Sequence, residues 1–402
     1  MHPSVEIRAT RSQKLMGKRI VLGITGSIAA VEVVKLAREL IRHGTDIYPV
    51  MSHAAQQIIH PEAVRFACGH VPILELDGSV QHVDLCGNVA DRADLLLIAP
   101  ATANTISKIA CGIDDTPVTT MATTAIGAGI PVMIVPGMHS SMYSHPIVRE
   151  NLRALEKIGV KVLEPVLAEN KAKMASVEEV VAHVLRTLGP MDMKDCRLLV
   201  VAGGYAEPWD AVRELRSTAT GQTGIAIAVE GFGRGADVEL VMAGDIPAPQ
   251  FIPTTRARTV AELREVLRGK KADAIIVPAA IPDYAPEKAR GKTPSDREEM
   301  VLRLRRQEKI LSHLRKRHKG VLVGFKAEYG VEEKELIKRA EERLKEHRLE
   351  MIVANDLRHL SPSKTRAILI RRDGRKTKFE GSKSALAEAI ITEVAALLRK
   401  GR

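Results

Sequence analysis

Short apolar runs and amphipathic helical stretches alternate along almost the whole chain, and few architectures accept that rhythm. Lys18 to Thr25 is an apolar run ending in Gly26-Ser27, Ile28 to His43 carries helical spacing, and Gly44 stops the helix. Strands are expected at Asp46 to Val50, Ala93 to Ala99, Pro131 to Pro136 and Val160 to Leu163, with helices from Pro146 to Ile158 and after the capping-box pattern Ser176-Val-Glu-Glu179. The rhythm pauses over Leu188 to Lys194 and restarts. Arg197 to Ala202 is a buried strand ending in Gly203-Gly204, a helical stretch begins at Gly224, and strands follow at Val238 to Met242, Ala274 to Val277, Val321 to Phe325 and Met351 to Ala354. Glu332 to Arg348 is a charged amphipathic helix, Asp373-Gly374 marks a hairpin turn, and a helix from Ser382 to Lys400 closes the chain. Buried strands alternating with helices predict parallel sheets covered on both faces. With 402 residues the chain exceeds one ordinary core. The expected fold class is α/β: two doubly wound, Rossmann-like domains with mainly parallel sheets. The expected division is a tail over residues 1–17, one domain over 18–189 and a second over 190–402. In such sheets ligands bind beyond the carboxyl ends of the strands.

Composition narrows the function. Aromatic residues make up only 3% of the chain, too few for the stacking platforms of single-strand nucleic-acid binders. The formal charge of +11 gathers in stretches such as Arg303 to Arg306 and Arg315 to Lys319, which suit solvated helix faces and anionic small substrates better than nucleic acid. Four separated cysteines imply neither a zinc site nor a disulfide framework, and no apolar run is long enough to span a membrane. A cytoplasmic enzyme is expected.

Three segments at strand ends carry chemistry. Gly23 to Ala30 forms a strand-to-helix turn whose free N–H groups can hold a phosphate, or is simply a tight turn. Ala99 to Thr105 offers small and hydroxylated residues to a flat cofactor with polar edges, or supplies a helix cap at Thr102 or Asn104. Pro136 to Tyr143 places Met138 and Met142 at a rim, or packs them in a core. His82 has a titration range suited to proton transfer, although a lone histidine is more often structural.

In this order the segments resemble the homo-oligomeric flavin-containing cysteine decarboxylase family. From residue 17 onward the chain resembles the bifunctional phosphopantothenoylcysteine decarboxylase/phosphopantothenate–cysteine ligase family of coenzyme A synthesis. The resemblance implies FMN, with Gly26, Ser27 and Ile28 at its phosphate, Ser52 after the second strand, and Thr102, Asn104 and Ser107 in the second flavin segment. It implies His82 as catalytic base and Met138, His139, Met142 and Tyr143 as the substrate rim. A cysteine carboxylate has nowhere to send the electrons left by departing CO2. Oxidation at the thiol carbon creates that sink, which is why a flavin is needed. Two departures stand out. His139 replaces the family's carboxylate-binding asparagine, and the stretch Ala168 to Met174 lacks the flap cysteine that donates a proton in bacterial enzymes. His139 is therefore the expected proton donor as well as a carboxylate contact.

The second half resembles the ligase, which joins 4'-phosphopantothenate to L-cysteine through an acyl-cytidylate made from CTP with Mg2+. Glu207-Pro208, Asp210 and Arg213 match its opening segment, and Ala219 to Gly224 its glycine-rich loop, preceded by Ser217. Val277, Pro278, Ala279 and Asp283 match the nucleotide site, with Lys288 to neutralise the transferring phosphate, Phe325 further on, and Arg343 and His347 in place of a lysine pair. The resemblance also implies a homo-oligomer, trimeric through flavin domains and dimeric through ligase domains. The small-molecule substrates are its expected partners, with neither nucleic acid nor membrane among them. No residue is assigned to the metal.

Overall fold

The computed structural model describes residues 2–287, 289, 291–293, 298–359 and 364–400. The chain forms two compact units, Met1–Gly189 and Pro190–Arg402.

In the first unit five strands, β1 (Arg19–Ile24), β2 (Asp46–Met51), β3 (Leu95–Ala101), β4 (Val132–Pro136) and β5 (Lys161–Val162), form one parallel sheet in the order β2-β1-β3-β4-β5. Alternation of side chains sends Ile20, Leu22, Ile24, Leu95 and Leu97 into a core with Leu36 and Leu40 of the helix Val33–Arg42. Val21, Leu96 and Ile98 enter a second core with Val118 and Met121 of the helix Pro117–Gly127. Both faces are covered, so the strands read as continuous apolar runs.

Two expectations are revised. The helix expected from Ile28 begins with a 3-10 turn, Ile28–Glu32, capped by Ser27, and becomes α-helical at Val33. The expected N-terminal tail is folded: it forms a helix, Pro3–Ile7, and buries Leu15 completely. Its backbone N–H groups reach the carbonyls that the helix Val33–Arg42 leaves open at its end, from Ala9 to Ile41 O (3.1 Å), Arg11 to Arg42 O (2.9 Å) and Leu15 to His43 O (2.8 Å). Arg8 pairs with Asp46 and Arg11 with Glu39. The basic residues that read as a loose tail are thus the partners of acidic groups on the body.

Among the described residues the main sheet of the second unit has eight strands: β6 (Arg197–Ala202), β7 (Asp237–Ala243), β8 (Thr254–Ala257), β9 (Ala274–Val277), β10 (Val321–Glu328), β11 (Met351–Asp356), β12 (Thr365–Arg371) and β13 (Lys376–Gly381). Their order is β8-β7-β6-β9-β10-β11-β12-β13, parallel as far as β11 and antiparallel beyond. The expected mainly parallel, doubly wound sheets are found in both units. The Asp373-Gly374 turn joins β12 to β13, an edge strand whose exposed Lys376 and Lys378 discourage further pairing.

Candidate functional site

In each sheet the winding reverses once. β1 lies between β2 and β3 in the first unit, and β6 between β7 and β9 in the second. A doubly wound sheet opens a crevice at such a point, beyond the carboxyl ends of the strands.

Four turns converge at the β1/β3 crevice. Thr25, 1% exposed, follows β1; its Oγ1 donates to Pro100 O (2.8 Å) and accepts from the Thr102 N–H (3.0 Å). The turn after β1 is thereby fixed to the end of β3. Thr102 then caps the helix Ala103–Ala110, its Oγ1 accepting from the Thr105 N–H at 3.3 Å. Ser52 caps the short helix His53–Gln56, and its own N–H donates to Ile24 O (3.0 Å). Gly26 faces that helix so closely that a Cβ would stand 2.5 Å from the Ala54 Cβ. From the end of β4, a Cβ on Gly137 would lie 3.2 Å from the Pro100 Cβ and 3.3 Å from the Ser27 Oγ. Among the described residues the Gly26 N–H meets no internal acceptor. Glycine there leaves a cradle that any side chain would fill, with an N–H group available to an anion. These features fit a phosphate-bearing flat cofactor.

The turns that carry the expected flavin residues Gly26, Ser27, Ser52 and Thr102 are therefore held together through contacts of Ile24, Thr25, Ala54 and Gly137. Ile28 is 77% exposed beside them and Asn104 is exposed one turn on. Ser107 lies further along the same helix, where the Asn151 Nδ2 donates to its Oγ at 3.0 Å. Thr25, Gly137 and Asn151 were not singled out from sequence. Thr25 lay within the quoted motif, and its buried hydroxyl is what the motif's threonine contributes.

The rim is a small antiparallel sheet that sequence reading did not anticipate, because its strands are too short to show a period. Met138–His139 pairs with Lys171–Lys173, which pairs with Val166–Ala168. Glu169 and Asn170, both at positive φ (52° and 56°), close the tight turn of this flap hairpin. Met138 is half-buried in the core and Met142 is 48% exposed. His139 is an exposed helix cap whose Nδ1 lies 2.8 Å from the Ser141 Oγ. Tyr143 is only 4% exposed; its hydroxyl donates to Glu164 and its ring lies under Arg149 at 4.8 Å. Burial, with Glu164 beside it, raises the Tyr143 hydroxyl well above the usual tyrosine range. Tyr143 therefore supports the rim from beneath. Cys111 is an exposed helix C-cap.

His82 lies on the helix Gln81–Cys86, packed against the helix Pro117–Gly127. Its Nδ1 is buried with no hydrogen-bond partner among the described residues. No described contact joins it to the strand-end turns.

In the second unit the turns after β6 and β9 are stitched together: Ala280 N donates to Gly203 O (2.9 Å) and Tyr205 N to Ala280 O (3.0 Å). Between them opens a cleft of about 310 Å³ lined by Leu215, Arg216, Ser217, Ala280, Ile281 and Pro282. Val277 ends β9 beneath it, followed by Pro278 and Ala279. Pro278 and Ala202 pack on Gly224 at the start of the helix Gln222–Gly233. Asp210, 2% exposed, accepts from the N–H groups of Val212 (2.8 Å), Arg213 (2.7 Å) and Thr293 (3.1 Å) and from the Arg213 guanidinium. Burial pushes its carboxyl up, but these donors outweigh burial and hold it far below the usual carboxylate range. Arg213 also donates to Thr293 O (2.7 Å), and the Ala289 N–H to Trp209 O (2.9 Å). The knot thus ties Ala289 and Thr293 to the turn that carries Trp209, Asp210 and Arg213; Lys288 lies outside the described residues.

Asp283 is exposed, with its carboxylate 3.8 Å from the Arg343 guanidinium. Phe325 is half-buried along β10. His347 differs from a solvent-facing cation: its side chain is fully buried, and its Nδ1 lies 3.0 Å from the Ser312 Oγ. Burial lowers its pKa, against the raising effect of Glu346.

Comparison with known proteins agrees with this arrangement. The family described as Flavoprotein matches residues 8–189, and the family described as DNA/pantothenate metabolism flavoprotein C-terminal domain matches residues 193–398. The chain is 44% identical to the coenzyme A biosynthesis bifunctional protein CoaBC of Thermococcus kodakarensis, covering 99% of this chain and 100% of that one. With the protein of the same name from Methanocaldococcus jannaschii the identity is 38%, over 99% and 98% of the two chains. A solved structure of the C-terminal domain of a CoaBC protein is 26% identical with a TM-score of 0.45, covering 52% of this chain and 98% of that one. A flavoprotein crevice in the first unit, a second crevice in the other, and identity running the full length of such relatives lead to one conclusion: the chain belongs to the family of bifunctional coenzyme A biosynthesis proteins.

Proposed function

We propose that the two activities of the family divide between the units. Residues 190–402 join 4'-phosphopantothenate to L-cysteine, and residues 18–189 decarboxylate the product to 4'-phosphopantetheine. The observation that supports this reading is the pair of crevices, one per unit, the first bordered by the turns that carry Gly26, Ser27, Ser52 and Thr102 and the second by Ser217.

In the first unit Gly26, Ser27 and Ile28 hold the FMN phosphate, while Ser52, Thr102, Asn104 and Ser107 meet its polar edges. FMN held there would supply reversible two-electron oxidation at the thiol carbon, the electron sink that decarboxylation needs. Thr25 keeps the two flavin segments at a fixed separation. His82, with one ring nitrogen unengaged, moves the proton of the reacting cysteine moiety. Met138, His139 and Met142 form the substrate rim, and the flap hairpin paired to it excludes water.

In the second unit the cleft beside Ser217 and Ala280 receives the nucleotide and the acyl group. Mg2+ arrives on the triphosphate as part of that substrate. Lys288 offsets the charge on the transferring phosphate, and Asp283 and Arg343 belong to the same nucleotide site. CTP is the nucleotide of this reading. The enzyme works in the cytoplasm as a homo-oligomer, trimeric through the flavin units and dimeric through the ligase units. No helix among the described residues is long and apolar enough to cross a membrane.

Product masses from phosphopantothenate, cysteine and either CTP or ATP test the reading. Formation of phosphopantetheine with CTP, alongside release of one FMN per chain on denaturation, is the expected result. Failure to couple cysteine with either nucleotide would remove the ligase assignment. A chain that takes up no FMN would remove the decarboxylase assignment.

A further inference from the structure

His139 stands at the edge of the rim sheet with its ring held from one side. Its Nδ1 lies 2.8 Å from the Ser141 hydroxyl and 3.4 Å from the Ser141 backbone N–H. A backbone N–H can only donate, so Nδ1 must present its lone pair to it, and in the neutral ring the proton then sits on Nε2. The hydroxyl adds a second donor to the same lone pair. Protonating Nδ1 would break the contact with the backbone N–H and turn the hydroxyl from donor to acceptor. The next residue ties the flap to the same turn: the Ser140 N–H and Oγ both donate to Asn170 O, at 3.1 Å and 2.8 Å. His139 also pairs with Lys171 across the rim sheet.

We infer that Ser141 is a positioning residue for the decarboxylation step: it fixes His139 as a neutral Nε2–H donor aimed at the substrate carboxylate. The inference rests on the reading that His139 faces that carboxylate. It revises the expectation that an imidazolium at 139 supplies the final proton. The chemistry favours a neutral donor. The carboxylate loses its charge as CO2 departs, so a cation paired with it would stabilise the starting state more than the transition state. A single neutral N–H orients the carboxylate with less of that penalty. Lys171, the cation across the sheet, is an exposed residue of the flap, where its charge is screened by water and salt.

The same geometry has a bland interpretation, since His60 and His145 cap helices through Nδ1 in the same way, at 3.2 Å to the N–H of Glu62 and of Ile147. The test therefore has to separate capping from recognition. Asparagine and aspartate both cap a helix well, but only asparagine can donate to a carboxylate. In the full-length holoenzyme His139→Asn is expected to keep decarboxylation within about tenfold, the scale of one neutral hydrogen bond. His139→Asp is expected to raise KM for the carboxylated substrate on the order of 100-fold, through like-charge repulsion. Its affinity for the decarboxylated product should not change. Ser141→Ala should raise KM about three- to tenfold with kcat little changed, and Ser141→Thr should restore it.

Ring 15N shifts, with the His139 signal identified by its loss in His139→Asn, read the tautomer directly. Wild type should show an unprotonated Nδ1, and Ser141→Ala a mixture of tautomers. A wild-type Nδ1 that carries the proton overturns the inference while leaving the site reading intact. An Nε2–H tautomer together with unchanged KM in His139→Asp overturns the placement of His139 at the carboxylate, and the inference with it. An oxidised product, two hydrogens light, accumulating in His139→Asn would restore the proton-donor role and also refute the inference.

Discussion

Gly26 offers a quantitative test of the flavin cradle. A Cβ placed there would sit 2.5 Å from the Ala54 Cβ, against an ordinary carbon contact of roughly 3.5–4 Å. Neither atom is the end of a flexible side chain, so the turn or the helix His53–Gln56 must move by about an ångström to restore that spacing. Overpacking of this kind costs ~1–3 kcal/mol. Ala54 is exposed, and Ala54→Gly alone should cost only ~0.5–1 kcal/mol, through chain entropy. In the double variant the added Cβ finds the vacated space, so the two costs should fall short of additivity by ~1–2 kcal/mol. For a unit of this size that recovers about 2–8 °C in melting temperature. Flavin fluorescence on heating reports on the first unit, and absorbance per chain gives flavin content. Gly26→Ala should lower both quantities, and addition of Ala54→Gly should bring most of each back. Strictly additive losses, or a Gly26→Ala protein with full flavin and unchanged melting, would refute the close approach on which the cradle rests.

Thr25→Val keeps the side chain's shape but leaves the Thr102 N–H without its partner; a loss of ~1–3 kcal/mol and weaker flavin retention are expected in the same assay. Burial lowers the pKa of His43 to about 4 and that of His183 to about 3. An unfolded histidine binds its proton near 6.5, so the stability each neutral ring contributes is fully present above that pH. It is lost as the pH falls toward about 4 for His43, at up to ~1.4 kcal/mol per pH unit. His43→Gln should flatten that decline when melting is followed from pH 7 to pH 4.5, and an equally steep decline would point to other groups. Lys288→Gln should abolish acyl-nucleotide formation yet leave decarboxylation of supplied conjugate untouched, and loss of both activities would contradict their division between the units.

Much of this was legible in sequence because the sheets are buried on both faces. Runs such as Leu95 to Ala101 announce themselves by continuous apolarity, and the glycines and hydroxyls that follow mark the strand ends. Segments stabilised by contacts distant in sequence were not legible. Residues 2–17 look polar and loose until Asp46 and Glu39 are seen to meet Arg8 and Arg11. The flap hairpin has strands of two or three residues, too short for a period of two to register. Tyr143 and His347 were placed in the sites by position in a motif. Their burial, against Glu164 and Ser312, depends on neighbours that no local pattern reveals. For His82 the sequence supplied the residue and the structure an unengaged nitrogen, while the path from that nitrogen to the crevice is part of the proposal.

The docked N-terminal segment bears on how the two activities can be separated. Cutting at the first strand, so that the polypeptide starts at Lys18, would uncover the Leu15 pocket and strip the carbonyls of Ile41, Arg42 and His43 of their donors. The isolated flavoprotein half should then expose a sticky patch and be recovered poorly, whereas one starting at His2 keeps that surface closed. Affinity tags meet the same restriction. His2 caps the first helix, its ring lies 5.9 Å from that of Phe66, and Ser4 is 4% exposed, so an extension fused ahead of them must thread away from an occupied surface. Purification handles belong at the other end of the chain.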